Sequence, residues 1–451
     1  MKYFKTRFIL PASIKILLGF LFIILTGAFL LSLPISNTSG NWLNFFDSLF
    51  TSTSAVCVTG LTVIDISTSL TFFGKLVILL LIQIGGLGIV AITSLIFLIL
   101  GKKINFRSRL TIKESLNKDT LQGVVKFIKK LIIITFIIEG IGAILLLYST
   151  TTYFGNFGEG LFSAIFLAVS SFCNAGFDVL GSDKAQFLSL NNFSSNVLML
   201  LPIMMLIILG GIGFIVLIEG RKNYKIKQHI KIVLWATGIL ILGGALIFLI
   251  CEWNNPDTLG NMNFGEKLLN AFFQSITTRT AGFATIDQNS LSPIGKMTTM
   301  IWMFIGGSPN STAGGLKTTT IFIILLFLFK PANDKNDITF HGKKISCRIL
   351  MKAIKLLLYT IITLIIGISL IRFFEPNISL GNIIFECISA ISTVGLTTGI
   401  TPTLSIGSKL VLCALMYIGR VGILTIALFI SSKQSDTTSK IEYPNTDIIV
   451  G

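Results

Sequence analysis

The chain of 451 residues is 52% hydrophobic and only 12% charged, about half the charged share of an ordinary soluble domain, which excludes a soluble enzyme and places it in a bilayer. Its formal net charge of +16 suggests nucleic acid, but 27 of the 36 basic residues crowd into the N-terminal stretch, 101–130, 221–231, 330–355 and the tail. These segments share one side of a membrane if the N-terminus is cytoplasmic, as the positive-inside tendency requires, so the charge records topology and no nucleic-acid partner is expected.

Eight stretches are apolar and long enough to cross, near 13–34, 72–100, 127–149, 192–218, 231–252, 297–328, 350–373 and 406–431, given that a spanning helix needs roughly 20 residues. The first ends at Leu33-Pro34 without a small-residue cleavage site, so it is expected to be retained rather than removed as a signal peptide. The segment from about Trp42 to Val58 is too short and too rich in Ser and Thr to cross, yet too apolar for an ordinary outer loop. A half-helix dipping in from outside fits it, and irregular backbone at that depth must be buried in protein or line a water-filled cavity.

The same device recurs. Ten residues separate a Phe from a Gly four times: Phe50 to Gly60, Phe166 to Gly176, Phe272 to Gly282 and Phe385 to Gly395, with Leu61, Phe177, Phe283 or Leu396 following. Internal repeats fix architecture. The fold expected is an all-α polytopic membrane protein: four repeats of helix, pore segment and helix in a pseudo-fourfold arrangement around one central pore. The boundaries are set at 1–110, 111–222, 223–340 and 341–432, with a C-terminal tail 433–451.

Each second helix carries a glycine pair or its remnant: Gly85-Gly86-Leu87-Gly88, Gly210-Gly211-Ile212-Gly213, Gly306-Gly307 and Gly419-Arg420-Val421-Gly422. Three lie 24 or 25 residues after their motif glycine and the second lies 34 after. Close helix packing explains them; a hinge or a pore-facing role is the alternative. Only the third is expected to break outright, over Gly306 to Thr320, where four glycines, a proline and a lysine interrupt apolar sequence that resumes at Ile321.

A dehydrated monovalent cation needs several oxygens at short range, and a ring of backbone carbonyls supplies them without formal charge. Aiming successive carbonyls at one axis demands φ/ψ values that glycine adopts at little cost, and a half-helix ending just before that glycine turns its negative end to the axis. Arg420 stands in an otherwise uncharged span and needs a partner. Arg279 is expected to tie the third pore loop in place, since a lining arginine would oppose cations. Asp65, Asp178 and Asp287 follow their loops and either concentrate cations at the outer mouth or are simply solvated. Glu139 is available to pair with a neighbour, and Glu386 is placed at the start of the fourth pore helix. The two histidines, His229 and His341, lie in basic segments, and neither G-x-S-x-G nor H-E-x-x-H occurs, so no enzyme is expected. A secondary carrier for another small solute is the surviving rival. The six cysteines show no metal-ligand or paired spacing.

CVTGLT (Cys57 to Thr62), CNAGFD (Cys173 to Asp178), TRTAGFATID (Thr278 to Asp287) and STVGLTTGITP (Ser392 to Pro402) resemble the four selectivity loops of the Trk/Ktr/HKT potassium-transporter superfamily. The tail IEYPNTDIIVG and the length are most similar to Ktr membrane subunits. The resemblance implies potassium uptake, often sodium-stimulated, through a filter of Val58, Thr59, Gly60, Asn174, Ala175, Gly176, Thr280, Ala281, Gly282, Thr393, Val394 and Gly395. It implies an intramembrane gate built from Gly306, Gly307, Ser308, Pro309, Asn310, Ser311, Thr312, Ala313, Gly314, Gly315 and Lys317, with Arg420 contacting its carbonyls. It also implies a homodimer with one pore per subunit and a cytoplasmic ring of nucleotide-binding regulatory subunits. No P-loop occurs, so nucleotides act only through that partner and no covalent cofactor is expected. The terminal segment 441–451 is expected at a subunit interface, and the basic loops are available for docking the ring or for membrane-surface solvation. Thr278, Ala284, Asn310 and Ile423 depart from the family's common Pro, Asn, Gly and Pro.

Overall fold

The structure is a computed structural model and describes residues 12–88, 91, 92, 94, 123–181, 186, 187, 189–219, 227–329, 338–340 and 343–422. Its helices follow one another in four successive groups, called quarters. The first runs from α1 (Ala12–Ser32) through α2 (Phe45–Cys57) to α3 (Phe72–Leu87). The second holds α4 (Val124–Phe154), α5 (Phe157–Cys173), α6 (Val197–Ile212) and α7 (Phe214–Glu219), and the third α8 (Lys227–Glu252), α9 (Phe264–Thr277), α10 (Pro293–Phe304) and α11 (Thr318–Leu328). The fold is all-helical as expected apart from a short hairpin of β1 (Ile338–Phe340) and β2 (Lys343–Ile345), paired antiparallel with Thr339 opposite Lys344. The fourth quarter is α12 (Cys347–Phe374), α13 (Leu380–Ile391) and α14 (Ile406–Val421). The boundaries expected near 110, 222 and 432, the tail, His341 and Ile423 lie outside the described residues.

Side-chain caps start the short helices where the chain re-enters. Asn44 Oδ1 accepts from Phe46 N at 3.0 Å and Asn156 Oδ1 from Gly158 N at 3.0 Å. Glu266 reaches back to the Asn263 N–H at 3.0 Å to hold the start of α9. The second helices are capped by Thr71, Asn196, Ser292 and Ser405, each satisfying an N–H that the helix leaves free.

All four second helices end short of their expected spans, where only the third was expected to break. The predicted span 72–100 stops at Gly88, 192–218 begins at Val197 and stops at Gly213, and 406–431 stops at Gly422. The three glycines have φ of 84°, 102° and 94°, a region closed to most side chains. In the third quarter the break extends from Ile305 to Lys317. In the first, second and fourth quarters the glycine pair or its remnant thus stands just before a helix end, and in the third it lies inside the break.

Among the described residues α1, α4, α8 and α12 are long and apolar enough to cross a membrane. Their outer faces expose bulky apolar side chains, Ile144 at 72%, Ile250 at 76% and Phe373 at 79%. Inside, α2 buries Ser48, Thr51, Ser52, Thr53 and Ser54. Polar groups inside and apolar ones outside invert the soluble pattern, and the chain is a helical membrane protein. Each second helix also touches the short helix, expected to be the pore helix, of the following quarter: α3 meets α5, α6 meets α9, α10 meets α13, and α14 returns to α2. That order is cyclic.

Candidate functional site

The pore helices end three to five residues before their glycines, and the chain then turns through a left-handed residue two positions ahead of each. Val58, Asn174, Thr280 and Thr393 have φ of 57°, 58°, 70° and 50°, although three of the four are β-branched. Such a conformation costs on the order of 1–2 kcal/mol for a residue with a Cβ, and it persists where surrounding bonds over-determine it. In three quarters those bonds form one motif. Val58 N donates to Ala55 O at 3.2 Å and Thr59 N to Ser54 O at 2.8 Å; Asn174 N and Ala175 N repeat this on Ser171 and Ser170, and Thr393 N and Val394 N on Ala390 and Ser389. This is the Schellman closure. The hydroxyls of Ser54 and Ser389 also accept from Gly60 N and Gly395 N, each at 3.1 Å, and Ser170 Oγ accepts from Phe177 N at 3.0 Å. The third quarter has Ile276 at the serine position and closes instead through Ala281 N to Thr277 O at 2.9 Å.

The four loops meet. A Cβ on Gly60 would lie 2.6 Å from Ala175 O, and one on Gly176 2.7 Å from Ala281 O; Gly282 faces Val394 O and Gly395 faces Thr59 O at still closer range. Each glycine thus abuts the carbonyl that precedes the next quarter's glycine, and the fourth returns to the first. Asn174 and Thr280 side chains come within 3.5 Å of each other as well. All twelve residues expected in the filter lie in these four loops. The first glycine of each pair supports the arrangement from behind in three quarters, since Gly85, Gly210 and Gly419 sit directly on the carbonyls of Val56, Phe172 and Ile391, each four residues before the ring glycine. In the third quarter Gly306 faces Gly314 O within its own loop.

Residues that follow the four glycines enclose a cavity of about 210 Å³, walled by the glycines themselves, Thr62, Thr397 and the carboxylates Asp65, Asp178 and Asp287. These carboxylates are not free ligands. Asp65 caps a helical turn through Ser67 N at 2.9 Å and accepts from Phe187 N at 2.7 Å; burial pushes its carboxyl up, but the bonds from Ser67, Phe187 and Thr68 outweigh this and hold it below the usual range. Asp178 is raised to about 6 by burial, with the Asp65 charge adding to the shift against a bond from Leu180 N. Asp287 accepts from Asn289 N and Ser290 Oγ.

Phe187, Ser189 and Leu190 of the second quarter form a strap at this cavity. Phe187 N is held by Asp65 of the first quarter, while Leu190 N donates to Ala284 O at 2.9 Å and Ser189 Oγ accepts from Ala284 N at 3.1 Å in the third. Ala284, one of the positions that depart from the family pattern, takes part through its backbone. A buried amide pair, Gln274 and Gln288 at 2.6 Å, braces the third loop.

The interrupted segment 305–317 lies against the C-terminal end of α5 and against the fourth loop. Ile305 and Leu316 bridge its two ends. Ser308 N donates to Gly211 O at 3.0 Å, Thr312 N to Gly210 O at 3.3 Å, Thr312 Oγ1 to Phe172 O at 3.1 Å, and Phe214 N to Asn310 O at 2.8 Å. The loop therefore fills the break in the second quarter's helix. Asn310 has φ of 55°, where asparagine is tolerated. Gly314 and Gly315 lie against Thr393 and Ser392 of the fourth loop. Lys317 Nζ donates to Ala313 O at 2.8 Å. Arg420 donates to Thr312 O and, in the first quarter, to Gly85 O and Gly86 O. The buried Arg279 turns away from the ring and donates to Thr237 Oγ1 on α8 at 3.3 Å. Glu139 accepts from Gln83 Nε2 at 3.1 Å.

One placement is corrected. Glu386 is not at the start of the fourth pore helix but at its seventh residue, 1% exposed, where it faces the segment after Gly395. A helix N-terminus needs its cap near Ser379, and the phase of α13 points position 386 inward.

The sequence profile of the TrkH family, described as a cation transport protein, matches residues 21–441. The chain belongs to that family of cation transport proteins. It is 41% identical over 439 residues to the potassium/sodium uptake protein NtpJ of Enterococcus hirae, covering 96% of each chain. It is 38% identical to the Ktr system potassium uptake protein B of Bacillus subtilis, covering 99% of this chain and 97% of that one. Among solved structures the potassium transporter TrkH from Vibrio parahaemolyticus superposes with a TM-score of 0.71 at 18% identity, covering 96% of this chain and 87% of the other; that likeness is one of fold. The family is one of transporters rather than enzymes.

Proposed function

We propose that the chain is a potassium-uptake protein of the cell membrane, with both termini cytoplasmic, that passes the ion through the ring of Gly60, Gly176, Gly282 and Gly395. The observation that carries this reading is the cyclic abutment of each glycine on the next quarter's carbonyl, since a closed set of carbonyl-bearing loops is the arrangement that replaces a cation's hydration shell. The loop 306–317 with Arg420 is the gate beneath it. The names of the Enterococcus and Bacillus relatives support potassium as the ion, and the former supports a part for sodium. The working assembly in this reading is a homodimer in membrane lipid, regulated by a cytoplasmic ring of nucleotide-binding subunits.

Rubidium and sodium uptake into proteoliposomes, wild type beside Gly282→Asp, tests this. Selective rubidium uptake by the wild type and none by the variant is expected. Wild-type protein that shows no selective uptake even with a nucleotide-binding ring added would overturn the reading.

A further inference from the structure

The carboxylate of Glu386 is buried against a single turn of chain. Its Oε1 accepts from Thr397 Oγ1 at 2.5 Å, Thr398 N at 3.0 Å and Thr398 Oγ1 at 3.4 Å, and its Oε2 from Thr401 Oγ1 at 3.0 Å. Within the turn Gly399 N donates to Thr397 Oγ1 at 2.9 Å, and the Thr401 hydroxyl, 2.9 Å from that of Thr397, has one hydrogen to give to either Glu386 or Thr397. No cation is paired with the carboxylate among the described residues. Every group bonded to the buried carboxyl comes from residues 397–401, and a buried polar group left without its partners is costly.

That turn begins two residues after Gly395. Thr397, Gly399 and Pro402 stand in the wall of the outer cavity beside Gly395 and Leu396. The corresponding positions nine residues before the other glycines are Thr51, Leu167 and Phe273, so this anchor is peculiar to the fourth quarter. An acceptor-only group with two oxygens suits a turn that offers three hydroxyls and an N–H.

We infer that Glu386 is a positioning residue for ion selectivity: by binding the 397–401 turn it fixes the fourth strand of the ring, and with it the spacing of the carbonyls that discriminate between cations. The inference rests on the proposed pore. Fixing a turn to the helix that precedes it constrains the stretch between them, here Ile391 to Leu396, which contains the left-handed Thr393 and the Val394 carbonyl facing Gly282.

Glutamine separates bonding from charge. Its Oε1 can keep Thr397 and Thr398, and its Nε2 can donate to Thr401 Oγ1, which then donates to Thr397 Oγ1. The test is the ratio of rubidium to sodium uptake in proteoliposomes for Glu386→Gln, Glu386→Ala and Thr401→Val, each first shown to elute as wild type does. Glu386→Ala is expected to lower the ratio about tenfold, the size of one lost discriminating contact, with Thr401→Val between it and wild type, while Glu386→Gln stays within about twofold. A uniform fall in uptake at constant ratio for Ala and Val would overturn the inference, as would Gln behaving like Ala. A wild type without selective uptake would instead overturn the pore reading.

Discussion

Lys409 Nζ lies 2.8 Å from Asp47 Oδ1, joining the second helix of the fourth quarter to the pore helix of the first across 362 residues of chain. This contact closes the cyclic order of quarters at the one place where the backbone does not.

The pair is partly exposed, 13% for the lysine and 24% for the aspartate, so its contribution is about 1 kcal/mol after solvent screening. Lys409→Met is expected to lower the thermal midpoint of the purified protein by roughly 1–2 °C. The exchange Asp47→Lys with Lys409→Asp should recover most of that. A midpoint unmoved by either single change would show that the quarters are held together elsewhere.

Gly176→Ala should abolish uptake without preventing insertion. Its Cβ would meet Ala281 O at 2.7 Å and Gly282 Cα at 2.9 Å, with φ at +70°, and both neighbours are backbone atoms of the ring itself. Strain of on the order of 1–2 kcal/mol is tolerable for folding, while the shift of a carbonyl is not tolerable for an ion. Gly40→Ala, at a φ of +68° with nothing nearby, is the control: it carries the strain and should leave rubidium uptake intact.

Arg420→Gln should raise rubidium leak in the absence of any regulatory partner, by roughly tenfold if about 1.4 kcal/mol of closed-state contact is lost. The guanidinium spans from Thr312 O to the carbonyls of Gly85 and Gly86, which a shorter amide cannot do. Arg420→Lys should leak too, because a single ammonium lacks the planar fork. A tight Gln variant would remove Arg420 from the closed state.

Uptake should fall as external pH drops through about 6, the value to which burial and the Asp65 charge raise Asp178. Above that pH the carboxylate is charged and draws cations to the cavity; below it the group is neutral and the attraction is lost. Asp65, held low by its bonds to Ser67, Phe187 and Thr68, stays ionised over the same range and sets the floor. In Asp178→Asn the step centred near pH 6 should be lost, with uptake near the wild-type value at the acidic end. A profile that keeps its step in the variant would assign the step to another group.

Much of this was legible in the chain. The Phe-to-Gly spacing located the four loops, because a pore helix of fixed length followed by a glycine is a local device that each quarter must spell out. That Arg420 needs an acceptor was legible as well, since a lone charge among apolar residues demands one, while the loop carbonyls as its partners followed from the family resemblance. The serines at 54, 170 and 389, six residues before their glycines, were an available signal that went unread; they close three helices, and Ile276 marks the loop that closes differently. The strap of Phe187, Ser189 and Leu190 was visible only as a count, 34 residues where the other quarters have 24 or 25.

The sequence by itself determined the solvent, the number of quarters and the residue types at the ring, because hydropathy, repeat spacing and the conformational freedom of glycine are properties of short stretches. Only the tertiary structure decided that Gly88, Gly213 and Gly422 end their helices, that Gly85 and Gly86 of the first quarter share one arginine with a loop of the third, and that Glu386 serves the turn after Gly395 rather than the start of its own helix. Those outcomes depend on which carbonyls and N–H groups are left without partners once four helix pairs are brought together, and no stretch of sequence carries that information alone.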